Sequence, residues 1–392
     1  MSLPVQVVEP QAPAPHAAEP RARPRVALVG PDPAAHGGVA GFMHALLQSS
    51  LSERFELVPI ATHRDGGRTV KLVQALRGLF RLRRLCADGR VDLVHVNSSW
   101  SASLVRKSAA VAIARAYGRP IVFQLHGSGF ERGLRRPGPR GALARRAVGR
   151  IARAADTVVA ATPAWAAEAA GILGVDNFRV VPNTADVSRL IGVPHDGAGS
   201  QTVLFLGRLE RGKGVFELVE AAALLRSAHP RLRLVLAGQG RDAVGLRDLI
   251  AARDLTTVVE LPGWVEGESK RRLLASATCL ALPSHAEGLP LVVLEAMISG
   301  VPVVATHVGG IPEAVRDGRE ALLVAPGDVA ALAEAIRRVL DDKRLARRLG
   351  RAARARGLAE FAPGPVAAAL ASVYDDVLAD GSACARAGRI AS

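Results

Sequence analysis

The chain reads as an α/β protein built from two doubly wound parallel-sheet units that face each other across a cleft. Three observations carry that reading. Its 392 residues exceed what one hydrophobic core ordinarily serves and suit two. Apolar runs of strand length alternate with longer amphipathic stretches of helical length from Arg25 onward, the pattern of parallel strands covered on both faces. A polar stretch at 192–200, GVPHDGAGS, has the composition of a hinge and divides the pattern into halves.

The first unit spans 25–191. It opens with a strand at Arg25 to Gly30, a turn, and a helix from Val39 to Gln48. Apolar strands are expected near Phe55 to Ile60, Val91 to Val96, Ile121 to Leu125, Thr157 to Ala160 and Arg179 to Val181. The second unit spans 201–373, with strands at Thr202 to Leu206, Arg231 to Ala237, Val258 to Leu261, Thr278 to Leu282 and Val301 to Ala305, and it ends in helices. Residues 1–24 are rich in proline and alanine and lack the basic start and apolar core of a signal peptide, so a disordered tail is expected there. A second tail, 374–392, is free to pack back on the first unit.

Three cysteines, Cys86, Cys279 and Cys384, lie far apart and form neither a disulfide framework nor a metal-binding pair, which favours a reducing, cytoplasmic compartment. No apolar run reaches the ~20 residues of a membrane span; the one around Leu289 to Ala305 is broken by Glu295, Gly300 and Pro302. Charge is uneven: residues 1–200 carry 26 basic against 14 acidic side chains, and residues 201–392 carry 25 against 22. Eight arginines lie between Arg132 and Arg153 with no acid beyond Arg132. On a helix over Gly141 to Ala155, Arg146, Arg150 and Arg153 share one face and Leu143, Ala147 and Ile151 another. Lys71 to Cys86 repeats the design, with Arg77, Arg81 and Arg84 beside Leu72, Leu76, Leu79 and Phe80. Basic amphipathic helices of this kind suit an anionic membrane surface; in a chain with 46 arginines and 5 lysines they are equally ordinary solvated faces. Aromatic residues make up only 4%, so no stacking platform for nucleic acid is expected.

Candidate chemistry falls on the carboxyl ends of the predicted strands, where doubly wound sheets bind ligands. In PSHAEGLPLVVLE (283–295), a strand leads into a turn and Gly288-Leu289-Pro290 opens a helix running to Ser299. Proline suits a first helical turn, and the unpaired N–H groups there favour a phosphate or diphosphate. Glu287 stands at the mouth and Glu295 about two turns further in. Ionised carboxylates only accept hydrogen bonds. Hydroxyl-rich groups on both sides of a diphosphate would therefore suit them, and a nucleotide sugar has that layout. In GRLERGKG, Arg208 and Lys213 could converge on the same diphosphate, the first bidentately and the second as a point charge. Gly37 and Gly38 precede a helix after the first strand, and His126 ends the strand IVFQLH. No Walker A sequence and no Asp-x-Asp appears; Glu266-Gly267-Glu268 comes nearest and is read as charge at a helix start.

In their order, these motifs resemble the retaining GT-B glycosyltransferases of family 4, the glycosyl transferases group 1. The resemblance runs from Arg25 to about Tyr374. It rests on the Gly37-Gly38-Val39 turn, His126-Gly127, Val181-Pro182-Asn183, Gly207-Arg208-Leu209 with Lys213-Gly214, the E-x7-E pair Glu287 and Glu295, and Gly309-Gly310-Ile311-Pro312-Glu313. It implies two Rossmann-like domains in GT-B architecture, with the donor in the second and the acceptor in the first. It implies retaining, metal-independent sugar transfer with no cofactor. His126 would lie at the reacting centre, Gly37 and Gly38 beside acceptor and diphosphate, and Arg208, Lys213 and the Gly288-Leu289 amides on the diphosphate. Glu287 would hold the sugar and Glu295 the ribose. Gly238-Gln239-Gly240 and Gly263-Trp264-Val265 would approach the base, although Trp264 is equally a packing residue. The expected partners are a UDP- or GDP-sugar and a glycan or lipid-linked acceptor. A nucleotide-sugar epimerase and a non-catalytic membrane scaffold remain as alternatives.

Overall fold

The computed structural model describes residues 23–35, 37–100, 102–185 and 201–390, so the expected hinge at 192–200 and nearly all of the N-terminal tail lie outside the described residues. The first sheet contains β1 (Arg25–Gly30), β2 (Glu56–Ala61), β3 (Leu93–Ser98), β4 (Ile121–Leu125), β5 (Thr157–Ala160) and β6 (Phe178–Val180), all parallel, in the order β2-β1-β3-β4-β5-β6. The helices between them are α1 (Gly38–Leu47), α2 (Leu51–Arg54), α3 (Arg68–Ala87), α4 (Ala102–Ala116), α5 (Ser128–Arg135), α6 (Gly138–Ala154) and α7 (Pro163–Leu173). The second sheet contains β7 (Thr202–Leu206), β8 (Arg233–Ala237), β9 (Val259–Gly263), β10 (Cys279–Leu282), β11 (Val303–Thr306) and β12 (Ala321–Val324), also parallel, in the order β12-β11-β10-β7-β8-β9. Its helices are α8 (Val215–Leu225), α9 (Ala243–Ala252), α10 (Gly267–Ser276), α11 (Leu291–Ser299), α12 (Ile311–Ala314), α13 (Val329–Asp341), α14 (Lys343–Arg356) and α15 (Pro363–Ile390).

Central strands such as TVLFL in β7 and CLAL in β10 are buried throughout because helices cover both faces of their sheet. In each sheet the strand order reverses once, between β1 and β3 in the first and between β7 and β10 in the second. Loops diverge there and leave a crevice at the strand ends, the preferred ligand position in such sheets.

Two features differ from the sequence expectation. β12 was not anticipated, because its four residues, ALLV, are too short to display a period. The boundary expected between Val373 and Tyr374 falls inside α15, which starts at Pro363 and leaves the second domain to pack on the first. Val366, Leu370, Tyr374 and Val377 are buried with Val26 and Leu28 of β1, Phe42 of α1 and Phe55. Each such side chain contributes about 1.5–3 kcal/mol of burial. Tyr374 also places its hydroxyl 2.6 Å from His95 Nδ1 at the sheet, so the helix is held by a buried polar contact as well as by apolar area. Cys86 and Cys279 are buried and burial pushes their thiols up, to about 11 and about 12, so they behave as small hydrophobes.

Candidate active site

The second domain supplies two loops at its switch point. The loop after β7 closes in a 3-10 turn, Arg211–Lys213, and Gly214 ends it at φ 71°, where a Cβ would fall 2.0 Å from Pro283 O. Only glycine allows this loop to lie directly on the loop after β10. His285 N donates to Gly212 O at 3.1 Å and the His285 ring pairs with Glu217 at 2.7 Å, which locks the two loops together. Lys213 Nζ consequently reaches Glu287 Oε1 at 2.7 Å, and Ser284 Oγ donates to the same oxygen at 2.7 Å. Behind Glu287, Gly309 (φ 53°) replaces what would be a Cβ 1.7 Å from Glu287 O.

Helix α11 begins at Leu291, three residues later than expected. Pro290 is its N-cap with extended ψ 124°, and Gly288 to Pro290 form a loop. The residue preceding a proline is biased away from the helical region, which moves the start past it. Glu295, one turn into the helix, is buried; its Oε1 accepts from Lys270 Nζ of α10 at 2.5 Å, while its Oε2 is buried without a partner. A buried carboxylate oxygen without a partner is costly and remains a strong acceptor.

The first domain meets this loop directly. Cβ atoms built at Gly38 and Gly41 would lie 3.8 and 3.6 Å from Leu291 Cδ1, so the N-terminal turn of α1, capped by Gly37, faces the N-terminal turn of α11 across the cleft. Asn183 Nδ2 donates to Leu289 O at 2.8 Å, and Ala164 N donates to Glu313 Oε2 at 3.0 Å. His126, at the end of β4, is buried; its Nε2 lies 2.8 Å from Asn97 Oδ1 and its ring 5.0 Å from that of Phe42. Burial is the main cause that lowers its pKa to about 3; the neighbouring Asn183 side chain opposes this and the Lys107 charge adds to it. The imidazole is therefore neutral at physiological pH. Asn183 stands beside His126 and is tied to the Gly288-Leu289 loop. Glu131 of α5 is also buried. Desolvation raises its carboxyl to about 7, with Arg135 opposing and Glu168 and Glu287 reinforcing.

The structure thus brings Gly37, Gly38, His126, Lys213, Glu287, Gly288, Leu289 and Glu295 to one cleft. Arg208 is not gathered in: its side chain is 67% exposed and pairs with Glu210 at 3.5 Å. Gly238 and Gly240 serve packing, since Cβ atoms there would fall 1.7 Å from Gly207 O and 2.1 Å from Leu209 O. Trp264 Nε1 donates to Glu266 at 2.6 Å, and Glu268 binds Arg271 and Arg272 within α10. Among the described residues, no cluster of His, Cys, Asp and Glu could hold a metal ion. On α6 the inward stripe is Val148, Ile151 and Ala152, while Leu143 faces out and Arg153 is tied to Leu173 O. The expected Leu143-Ala147-Ile151 stripe is therefore split, because the helix turns its glycines, Gly141 and Gly149, inward as well.

Sequence reasoning missed Asn97, Lys107, Glu131, Asn183 as a side-chain donor, and Lys270. A signal was available for the lysines. The chain has five against 46 arginines; Lys213 and Lys270 lie against the buried glutamates, and Lys107, on α4, reaches Thr62 just past the end of β2. Lysine delivers a compact charge on a thin stem to a confined spot that a planar guanidinium does not fit.

Two parallel doubly wound sheets with their switch points turned to a common cleft define the GT-B class of glycosyltransferases. The fold matches sucrose-phosphate synthase from Thermosynechococcus elongatus with a TM-score of 0.79 at 22% identity, covering 91% of this chain and 100% of that one. It matches Anabaena HepE in complex with UDP-glucose with a TM-score of 0.71 at 20% identity, covering 90% and 99%. The family models Glycosyl transferase 4-like domain and Glycosyl transferases group 1 match residues 4–184 and 195–356. A glycogen synthase of Mycobacterium tuberculosis is 33% identical over 307 residues, 76% of this chain and 72% of its own length. A D-inositol 3-phosphate glycosyltransferase of Arthrobacter sp. is 34% identical over 306 residues, 70% and 68% of the two chains. The chain belongs to the group 1 glycosyltransferases, family 4.

Proposed function

We propose that this glycosyltransferase moves a sugar from a nucleoside diphosphate sugar to an acceptor hydroxyl, with retention and without a metal or other cofactor. The observation that carries the reading is the pair of buried glutamates flanking the α11 start, each held by a lysine, with Glu295 Oε2 left unpaired for a ribose hydroxyl. Between them, the facing N-termini of α1 and α11 and the Lys213 ammonium form a positive seat for the diphosphate. Arg208, exposed at the rim, has room to turn onto the bound diphosphate. These groups stabilise the charge that grows on the leaving diphosphate. Glu287 accepts from sugar hydroxyls, and neutral His126 donates or accepts a hydrogen bond beside the reacting carbon without adding charge.

In a same-face reaction the bond from the anomeric carbon to the phosphate oxygen breaks with its electron pair going to the diphosphate. The acceptor oxygen bonds to the same face of that carbon and its proton passes to the departing phosphate. UDP and UDP-glucose in the HepE complexes support a uridine nucleotide as the first donor to try.

Among the described residues no helix is long and apolar enough to cross a membrane. One surface nonetheless favours peripheral docking at the inner membrane face. Helix α3 turns Val70, Leu72, Val73, Leu76 and Phe80 to solvent among Lys71, Arg77 and Arg81, and α4 and α6 add exposed Val105 and Leu143. A lipid-linked saccharide in exopolysaccharide or envelope-glycan assembly is the acceptor that suits it.

The test is a panel of UDP-, GDP- and ADP-sugars with saccharide and lipid-linked acceptors, the anomeric configuration of the product being read by NMR. Transfer with retention is expected. Epimer formation with no acceptor present would establish the epimerase instead, and absence of nucleotide diphosphate binding in calorimetry would establish the scaffold. Liposome co-sedimentation should require anionic lipid and weaken with salt; equal binding to neutral vesicles refutes docking through this face.

A further inference from the structure

At the switch point of the first sheet lies a cavity of about 240 Å³, which touches the donor seat at Val39 and extends away from Lys213 and α11. Its walls include Thr62, His63, Asn97, Ser103, Arg106 and Lys107, all from the first domain. Lys107 is 1% exposed and its ammonium makes one hydrogen bond, to Thr62 Oγ1 at 2.5 Å. Among the described residues no carboxylate pairs with Lys107 or with Arg106 beside it; Asp65 stands 4.0 Å from His63 Nε2. Buried lysines are ordinarily paired, because an unpaired charge out of water is costly.

Three further polar atoms on the same walls are buried and unpartnered: Arg106 Nε, Asn97 Nδ2 and His63 Nδ1. The concentration of positive charge is felt within the cavity: desolvation lowers Lys107 to about 7, with Arg106 adding to the effect, and His63 is lowered by burial, Arg106 and Lys107 among its causes.

From this convergence we propose that the cavity is the acceptor subsite for a phosphate group, so that the acceptor is a phosphorylated alcohol whose free hydroxyl reaches the sugar. The inference rests on the transferase reading above. Two cationic heads with an amide, a hydroxyl and a second guanidinium N–H suit the charge and the three oxygens of a phosphate monoester better than the two oxygens of a carboxylate. Neither Lys213 nor α11 lines the cavity, which adjoins the diphosphate seat at Val39 of the α1 N-terminus and holds its own cations, Arg106 and Lys107. Asn97 joins the two places: it lines the cavity and its Oδ1 contacts His126. A phosphate seated on Lys107 therefore holds the rest of the acceptor against the reacting centre.

The full chain, saturated with UDP, is titrated calorimetrically with inorganic phosphate, with D-inositol 3-phosphate and with neutral inositol; vesicles of phosphatidylcholine with or without phosphatidic acid form a separate arm. Saturable binding of inorganic phosphate and inositol phosphate, at least tenfold tighter than inositol, is expected. Lys107→Met and Arg106→Gln should each weaken that binding at least tenfold while UDP affinity stays within twofold of the parent. UDP affinity also verifies that each variant is folded, and Arg106→Gln decides the matter if Lys107→Met does not fold. Soluble phosphate binding supports a soluble phosphorylated acceptor. Binding confined to phosphatidic acid vesicles and lost in both variants assigns the same pocket to a lipid phosphate. Absence of any Lys107-dependent phosphate binding, with UDP still bound, overturns the subsite alone. Loss of UDP binding by the parent overturns the donor reading while leaving the phosphate titration to stand by itself.

Discussion

Lys213 and Glu287 hold each other in the cleft, so their removal should move nucleotide affinity in opposite directions. Their contact is 2.7 Å, with side-chain exposures of 25% and 8%. A hydrogen bond from a charged donor contributes about 1.5–3 kcal/mol, which corresponds to roughly 10- to 150-fold in affinity. Lys213→Met should therefore weaken UDP binding by roughly that factor. Glu287→Gln removes the competitor for Lys213 and a negative charge beside the diphosphate. UDP should bind as tightly or up to about fivefold more tightly, the equivalent of about 1 kcal/mol. A UDP-sugar should lose that advantage, because the amide accepts more weakly from sugar hydroxyls than the carboxylate. Transfer activity should collapse in both variants. Calorimetry with UDP and UDP-glucose on the parent and the two variants reads all of these. The reasoning is refuted if Lys213→Met binds UDP within twofold of the parent, or if Glu287→Gln weakens UDP as much as Lys213→Met does.

If Glu295 Oε2 takes the ribose, Glu295→Ala should weaken UDP by about tenfold, near 1.4 kcal/mol, and leave 2′,3′-dideoxy-UDP unaffected; equal losses for both nucleotides would remove the assignment. Tyr374→Phe leaves His95 Nδ1 without its partner and should lower stability by about 1–3 kcal/mol, with Tyr374→Ala near 3–5, both read by urea denaturation. Stability should also fall between pH 7.5 and 5.5. His95 and His126 titrate at about 3 when folded against an ordinary 6.5, so the unfolded chain takes up their protons first, and the two together lose on the order of 3 kcal/mol. Lys107, lowered to about 7, has the same sign and loses on the order of 1 kcal/mol, whereas Glu131, raised to about 7, binds its proton more readily when folded and returns on the order of 2. The parent should lose roughly 2 kcal/mol over this interval and Glu131→Gln roughly 4; identical pH profiles would show that Glu131 is not held protonated by burial.

Much of the architecture was legible because parallel strands buried on both faces are written as bare apolar runs, such as IVFQL and TVLFL, between helical stretches. The E-x7-E string, Lys213 and His126 were legible because a loop at a strand end needs glycine and proline in fixed places, which leaves charged residues conspicuous. β12 and the true origin of α15 were not. Four apolar residues have no measurable period, and a helix does not encode in its own sequence which domain it will pack against. Arg208 shows the reverse limit: its place beside Lys213 in sequence does not tell that its side chain lies exposed at the rim, paired with Glu210.

The sequence alone determined the family, the two α/β units, and which residues stand at the strand ends, since all three depend on local pattern and the order of motifs. Tertiary structure decided how those residues pair. Lys270 with Glu295, Lys213 with Glu287, Asn183 with Leu289 and the unpaired Lys107 are separated by tens of residues or lie on different domains. Whether a lysine in such a place is matched to a carboxylate or left for a ligand depends on how the two sheets and their loops meet. The strength of each charge depends on burial, which only the packed chain sets.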